Sequence, residues 1–167
     1  MESVPSLVDD LEKSKVFIEW RQKHNDSFLS HVFGRVGPDI SLKDNWDIGY
    51  YDTISGKITS FYKEEDHFVM KGEDDVFKKE DDTITALDTK LVKTSFAEAA
   101  EMIQSQIKEK FSRFLLGEGF VILQEINGNV VWNCSFITTS LVFVNVKVDA
   151  ADGSVISSET INAVSRE

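Results

Sequence analysis

The sequence predicts an α+β protein made of two helix-plus-antiparallel-sheet repeats, with the helices packed on one face of the sheet. Three observations favour this class. Apolar residues recur at helical spacing in two separate stretches, alternating apolar and polar runs follow each stretch, and glycine-containing turns separate those runs. The predicted boundary places one repeat in residues 1–90 and the other in residues 91–167.

The first repeat is predicted to begin with helices. Leu7, Leu11, Ser14 and Ile18 share one stripe, which predicts a helix from Ser6, as its N-cap, to about Lys23. A second, short helix is expected over residues 26–33, ahead of the glycines and proline that follow it.

A hairpin should follow these helices. Apolar and polar residues alternate over residues 47–51, and Gly56 can take the left-handed conformation that closes a short loop, so residues 57–61 should pair back on that strand. Shorter strands are expected at residues 67–71, 75–79 and 84–87.

The second repeat has the clearer pattern. Ser95 and Glu98 have the spacing of a capping box, and an apolar stripe extends from there to Phe114, so a helix is expected that ends at Gly117 and Gly119. A meander of four strands should follow, at residues 120–126, 129–137, 141–150 and 154–161, with an Asn-Gly hairpin turn between the first two.

Two segments share one template. Residues 51–60 and 148–157 match at a constant offset, with Asp52 equivalent to Asp149 and Gly56 to Gly153. A common hairpin turn could produce the match. Because an amphipathic helix with a serine cap precedes each segment, we interpret the match as an internal duplication.

Residues 95–161 resemble the PepSY family. The resemblance is carried by Glu-Ala-Ala at the start of the helix and by the closing Val-Asp-Ala-Ala-Asp-Gly turn followed by a hydrophobic strand. It implies a small cystatin-like fold with roles in inhibiting peptidases or binding ligands.

The composition limits the partners. The 167 residues are 41% hydrophobic, which is enough to build a core, and the formal net charge is −11. Nucleic acid is not expected as a partner, because phosphates attract basic surfaces. The N-terminus lacks the pattern of a signal peptide, and no apolar run is long enough for a membrane span, so a cytoplasmic location is the default expectation.

No motif for catalysis or for cofactor binding is apparent. His24, His31 and His67 are not at metal-binding spacing, and the glycine motifs that bind nucleotide phosphates are missing. The lone cysteine, Cys134, is expected to be a small buried thiol. We therefore predict no catalytic residues, no metal and no cofactor.

Aromatic residues are the remaining functional cue. Trp46, Tyr50, Tyr51 and Tyr62 are the candidate binding surface, and core packing is the alternative. Tyr50 and Tyr51 are neighbours in a strand and so point to opposite faces, which leaves one of them away from the core unless both faces are covered.

The sequence thus predicts a non-enzymatic binding or regulatory module whose partner is a protein or peptide, with protease inhibition as one form of that role. A homodimer is a further expectation. The alternative is a small enzyme or small-molecule-binding protein that uses a pocket between helix and sheet.

Overall fold

The computed structural model describes residues 2–75 and 83–162. Two helices come first, α1 (Val4–Glu12) and α2 (Lys15–Gln22). Four strands follow: β1 (Ser27–Val36), β2 (Asp47–Asp52), β3 (Lys57–Glu64) and β4 (His67–Asp75). After a 3₁₀ turn at Thr89–Leu91, the chain forms α3 (Phe96–Lys110) and then β5 (Leu116–Ile126), β6 (Asn129–Thr138), β7 (Val142–Asp149) and β8 (Val155–Asn162).

The eight strands within the described residues form one antiparallel sheet in the order β4-β3-β2-β1-β5-β6-β7-β8. The two central strands, β1 and β5, pair over six consecutive positions, from His31 with Gln124 to Val36 with Gly119. The predicted fold of two helix-plus-sheet repeats was therefore wrong. The β1–β5 ladder makes one continuous sheet, and the fold is dominated by strand, at 46%, over helix, at 23%. The boundary after residue 90 stays a prediction.

Strand β1 replaces the short helix expected over residues 26–33. A bulge interrupts the pairing of β1 with β2 between Leu29 and His31. Because the bulge adds one residue, Leu29 and Val32 both face the core although they are three positions apart. This spacing imitates one turn of a helix, which explains the error.

The predicted helix from Ser6 to Lys23 is divided in two. Ser14 has an extended backbone conformation, and its hydroxyl accepts a hydrogen bond from the amide of Phe17, so it caps α2. The predicted apolar stripe does not continue across the break: Leu7 and Leu11 are buried, but Ile18 is 47% exposed, and Phe17 and Trp20 join α2 to the core instead.

The capping box of α3 is confirmed. The amide of Glu98 donates to the Ser95 hydroxyl at 3.1 Å, and the Glu98 carboxylate accepts from the Ser95 amide at 3.0 Å. The predicted end of the helix was wrong, since Gly117 and Gly119 lie within β5. A side chain at Gly119 would approach the ring of Phe136 to 2.6 Å, so this glycine is needed for close packing of strands.

The remaining strand predictions have mixed outcomes. The hairpin of β2 and β3 and the meander of β5 to β8 are confirmed. Strand β4 is continuous from His67 to Asp75 across the expected break, residues 84–87 form no strand, and residues 76–79 lie outside the described residues.

The shared template reflects one turn geometry. Gly56 and Gly153 have φ angles of 73° and 81°, and each amide donates to the carbonyl of the equivalent aspartate, Asp52 or Asp149, at 2.8 Å. Identical local chemistry accounts for the match between the two segments, and the interpretation as a duplication has no support from the single sheet.

The helices all pack on one face of the sheet, and one cluster of buried residues joins them to it. Trp46, Phe96 and Trp132 contact one another in this cluster, with ring centroids 5.5 to 5.8 Å apart. These rings connect the segment before β2 to α3 and β6. The opposite face, which we call the open face, is covered by none of the described helices.

We predict that Ser95→Ala destabilises the protein by about 1 kcal/mol, because the first turn of α3 loses its N-cap. Ser105→Ala on the exposed side of the same helix is the matched control, and alanine there should be neutral or slightly stabilising. Urea unfolding followed by circular dichroism measures both. Equal effects of the two variants would contradict the capping role.

Candidate functional site

The centre of the open face is formed by the two central strands and their neighbours. His31, Phe33 and Arg35 alternate along β1 and point away from the helices, since Val32 between them is fully buried in the core. Phe33 lies opposite Asp47 on one side and Ile122 on the other. The open face therefore combines aromatic, charged and aliphatic side chains.

The structure does not bring the four predicted surface residues together. Trp46 is 5% exposed and Tyr50 is fully buried, both on the helix side. Tyr50 donates a hydrogen bond to the carboxylate of Glu12 at 2.6 Å, and burial together with this bond raises the pKa of its hydroxyl. Tyr51 and Tyr62 are half-buried on the open face. Their role in binding stays a prediction.

Tyr62 lies in a groove of about 420 Å³ on the open face. Two ion pairs border the groove: Arg35 Nε donates to Asp44 at 2.7 Å, and Lys71 Nζ donates to Asp47 at 2.7 Å. We call this depression the Tyr62 groove, and it is lined by Phe33, Arg35, Asp44, Asn45, Asp47, Tyr62, Val69, Met70 and Lys71. Among the described residues, the Tyr62 hydroxyl has no hydrogen-bond partner.

A second depression of about 400 Å³ lies over the centre of the sheet. We call it the His31 pocket. Strands β1, β3 and β5 form its base, and the segment that leads towards α3 passes along it, with the Leu87 amide bonded to the Leu29 carbonyl at 2.8 Å. It is lined by Ser30, His31, Ile58, Thr83, Ile84, Thr85, Ile122, Gln124 and Glu125.

The imidazole of His31 is held in a defined orientation. Its Nδ1 lies 2.8 Å from the Ser30 hydroxyl, which in turn donates to the Gly49 carbonyl at 3.2 Å. A hydroxyl has one hydrogen, so both contacts are hydrogen bonds only if Nδ1–H donates to Ser30. In the neutral ring, which carries a single N–H, Nε2 is then an acceptor. No described residue bonds to this atom.

Gly49 makes room for the imidazole. It pairs with His31 across β1 and β2, and a methyl group on it would lie 2.8 Å from both ring nitrogens. Burial lowers the pKa of His31, although the nearby Asp47 carboxylate opposes this effect. The ring is therefore neutral at neutral pH, and Nε2 is the nitrogen that carries the lone pair.

The sequence interpretation missed this pocket. In the sequence, His31 stands out only as one of three histidines that are not at metal-binding spacing. The ring of His24 stacks on that of Trp20, with the centroids 4.5 Å apart. The predicted helix over residues 26–33 concealed the alternation that places His31 on the open face. Had these residues been predicted as a strand, the alternation along it would have placed His31 on the face opposite Val32.

The described residues, 2–75 and 83–162, also bear on metal binding, on the lone thiol and on membrane insertion. No group of three or more His, Cys, Asp or Glu side chains there is arranged to hold a metal ion. Cys134 is fully buried as predicted, and burial raises the pKa of its thiol to about 12. None of the helices in these ranges is long and apolar enough to cross a membrane. The cytoplasmic location stays a prediction.

Fold and surface together define an α+β protein in which one antiparallel sheet has a helix-covered face and an open face. No protein-family model and no curated protein matches the chain. The chain is similar to the crystal structure of a candidate lipoprotein from Clostridium difficile 630, with a TM-score of 0.50 and 12% identity over 87% of this chain and 90% of that one. At this identity the likeness shows a common fold alone.

We predict that Gly49→Ala destabilises the protein by about 1 to 3 kcal/mol, because the added methyl group overlaps the His31 ring. In the His31→Ala background the same change should cost clearly less, since the ring is gone. A double-mutant cycle by urea unfolding measures the coupling. Additive effects would show that the ring and Gly49 are not in contact.

We also predict an acid-side loss of stability that depends on His31. Its pKa is lower in the folded protein than the ordinary 6.5, so the unfolded chain binds the proton more readily. The stabilising contribution is complete above pH 6.5 and is lost as the pH falls through the folded pKa. Between neutral pH and about pH 5, His31→Gln should lose less stability than the wild type in urea unfolding. Parallel pH profiles of the two proteins would contradict this.

Proposed function

We propose that the chain is a non-enzymatic binding module that holds a segment of a peptide or protein partner in the Tyr62 groove. The observation that carries this proposal is the groove itself, in which an aromatic ring lies beside two ion pairs on a sheet face that no described helix covers, and the hydroxyl of this ring bonds to no described residue. The proposal extends the role predicted for Tyr62 and assigns none to Trp46 or Tyr50.

The chemistry of the groove favours a peptide segment with charged groups on both sides of an apolar or aromatic side chain. Phe33, Tyr62 and Val69 offer apolar contact area. The side chains of Arg35 and Asp44 are more than half exposed, and so is that of Lys71. Exposed ion pairs contribute about 0 to 1 kcal/mol, so a ligand carboxylate or amine can exchange with one partner at little cost.

Protease inhibition remains the narrower form of this proposal and depends on the PepSY resemblance of residues 95–161 alone. The strands at the two ends of the sheet, β4 and β8, are where a homodimer would extend it, and that expectation also stays a prediction.

A small-molecule-binding role is the second candidate. A cleft of about 380 Å³ lies between the first turns of α1 and α3 and reaches Trp46 and Trp132. Trp46 favours this candidate, because its indole Nε1 is buried without a hydrogen-bond partner among the described residues. A ligand with an acceptor group could satisfy that nitrogen.

We predict that a selection of short random peptides displayed on phage, made against the whole protein, enriches a consensus that binds the Tyr62 groove. For the synthetic consensus peptide, Tyr62→Ala should weaken binding at least about tenfold by fluorescence polarisation, since it removes the central aromatic contact. Tyr51→Ala is the matched control, because Tyr51 lies on the same face outside the groove, and it should leave the affinity unchanged.

Amide chemical shifts of the complex should change along β2, β3 and β4. Failure to enrich any consensus, or a consensus peptide that binds Tyr62→Ala as tightly as the wild type, would refute the proposal. A peptide whose shifts map instead to the starts of α1 and α3 would refute it in favour of the second candidate.

A further inference from the structure

We propose that the His31 pocket is a separate binding site for a primary alkylammonium group, which donates a hydrogen bond to Nε2 of His31. The site shares no lining residue with the Tyr62 groove, and the inference does not depend on the function proposed for that groove. Three properties of the pocket support it. Nε2 of His31 is a hydrogen-bond acceptor in a fixed position, carboxylates lie nearby, and isoleucine side chains line the walls.

The acceptor is fixed by the strand geometry. Ser30 is the extra residue at the bulge in β1, and its hydroxyl accepts from Nδ1 of His31 while donating to the Gly49 carbonyl. Nε2 is left as a lone-pair acceptor that no described residue engages, and the ring cannot shift towards β2 because it already contacts Gly49. A donor group on a ligand would complete the hydrogen bonding of the imidazole.

The surrounding charges favour a cation. Asp47 on β2 is the charged group whose field reaches His31, and Lys71 Nζ pairs with it at 2.7 Å. Glu125 on β5 lines the pocket and adds a second carboxylate. The Glu125 carboxylate is held by hydrogen bonds of 2.5 Å from Thr85 Oγ1 and from the Gly128 amide. The chain as a whole carries a net charge of −11, which also attracts cations. An anionic ligand is correspondingly disfavoured.

The walls favour an aliphatic chain behind the ammonium. Ile58 from β3, Ile84 from the segment that passes along the pocket, and Ile122 from β5 line its sides. Each methylene that they cover contributes about 0.8 kcal/mol. Gln124 also lines the pocket, and its Oε1 accepts a hydrogen bond from Nδ2 of Asn133 at 3.3 Å. A metal ion would make no use of the apolar contact that the isoleucines offer, and the described lining residues supply too few ligands for it.

The same chemistry occurs in free alkylamines and in lysine side chains, so both are used as probes. n-Pentylammonium and N-acetyl-lysine methylamide are titrated into the whole protein at neutral pH, with 1-pentanol as the uncharged control of equal chain length. The ¹⁵N resonances of His31 and the amides of β1 and β5 report the binding. We expect saturable shifts with pentylammonium and at least tenfold weaker binding of 1-pentanol.

The pH dependence tests the acceptor without any substitution. Pentylammonium stays charged at and below neutral pH, whereas protonated His31 has no lone pair to offer. Affinity should therefore fall about tenfold per pH unit below the pKa of His31 in the free protein. An affinity that does not change through the His31 transition would overturn the proposal.

Substitution separates the pocket from general attraction to an acidic surface. His31→Leu removes the acceptor and should weaken pentylammonium binding at least tenfold, whereas His31→Gln, which keeps an acceptor, should recover part of it. His67→Leu is the matched control on the exposed β4 strand and should change nothing. Equal binding of pentanol, or unchanged binding to His31→Leu, would overturn the proposal.

Binding of the lysine probe at the same resonances would identify a protein side chain as the source, and binding of pentylammonium alone would identify a small amine.

Discussion

The ladder between β1 and β5 is the interaction on which the rest of the structure depends. Its six residue pairs join two four-stranded series into one sheet, and each central strand gains a partner on both sides. Val32 and Leu123 face each other across this ladder and are fully buried. A single core can then form under all three helices, because the sheet presents one unbroken apolar face.

Two glycines near this ladder allow large side chains to lie flat on opposite faces of the sheet. Gly34 on β1 faces the core, where an added methyl group would lie 2.7 Å from the ring of Trp46. Gly49 on β2 does the same for His31 on the open face. Because glycine has no side chain, Gly34 lets Trp46 pack closely in the core, and Gly49 lets His31 lie against the sheet in the pocket.

The two proposed sites use the rigidity of the sheet in the same way. Both are built on strand residues whose backbones are fixed by ladder hydrogen bonds, so the positions of Tyr62 and His31 are set before any ligand arrives. Asp47 connects the sites, since it pairs with Lys71 in the groove and its charge reaches His31. The helix-covered face keeps Tyr50 and Trp46 away from this chemistry.

Local chemistry was readable from the sequence by itself: the capping box at Ser95 and Glu98, the Asn-Gly hairpin turn and the two aspartate–glycine turns depend only on neighbouring residues. The pairing of β1 with β5 could be decided only by the tertiary structure, because those strands are about ninety residues apart. In addition, the bulge at Ser30 gives β1 a spacing of buried residues that resembles a helix. The same long-range pairing decided which aromatic residues face the core and brought Ser30, His31 and Gly49 together with Glu125. The spacing of residues in the sequence does not predict these contacts, because they depend on the register between strands that are far apart in the chain.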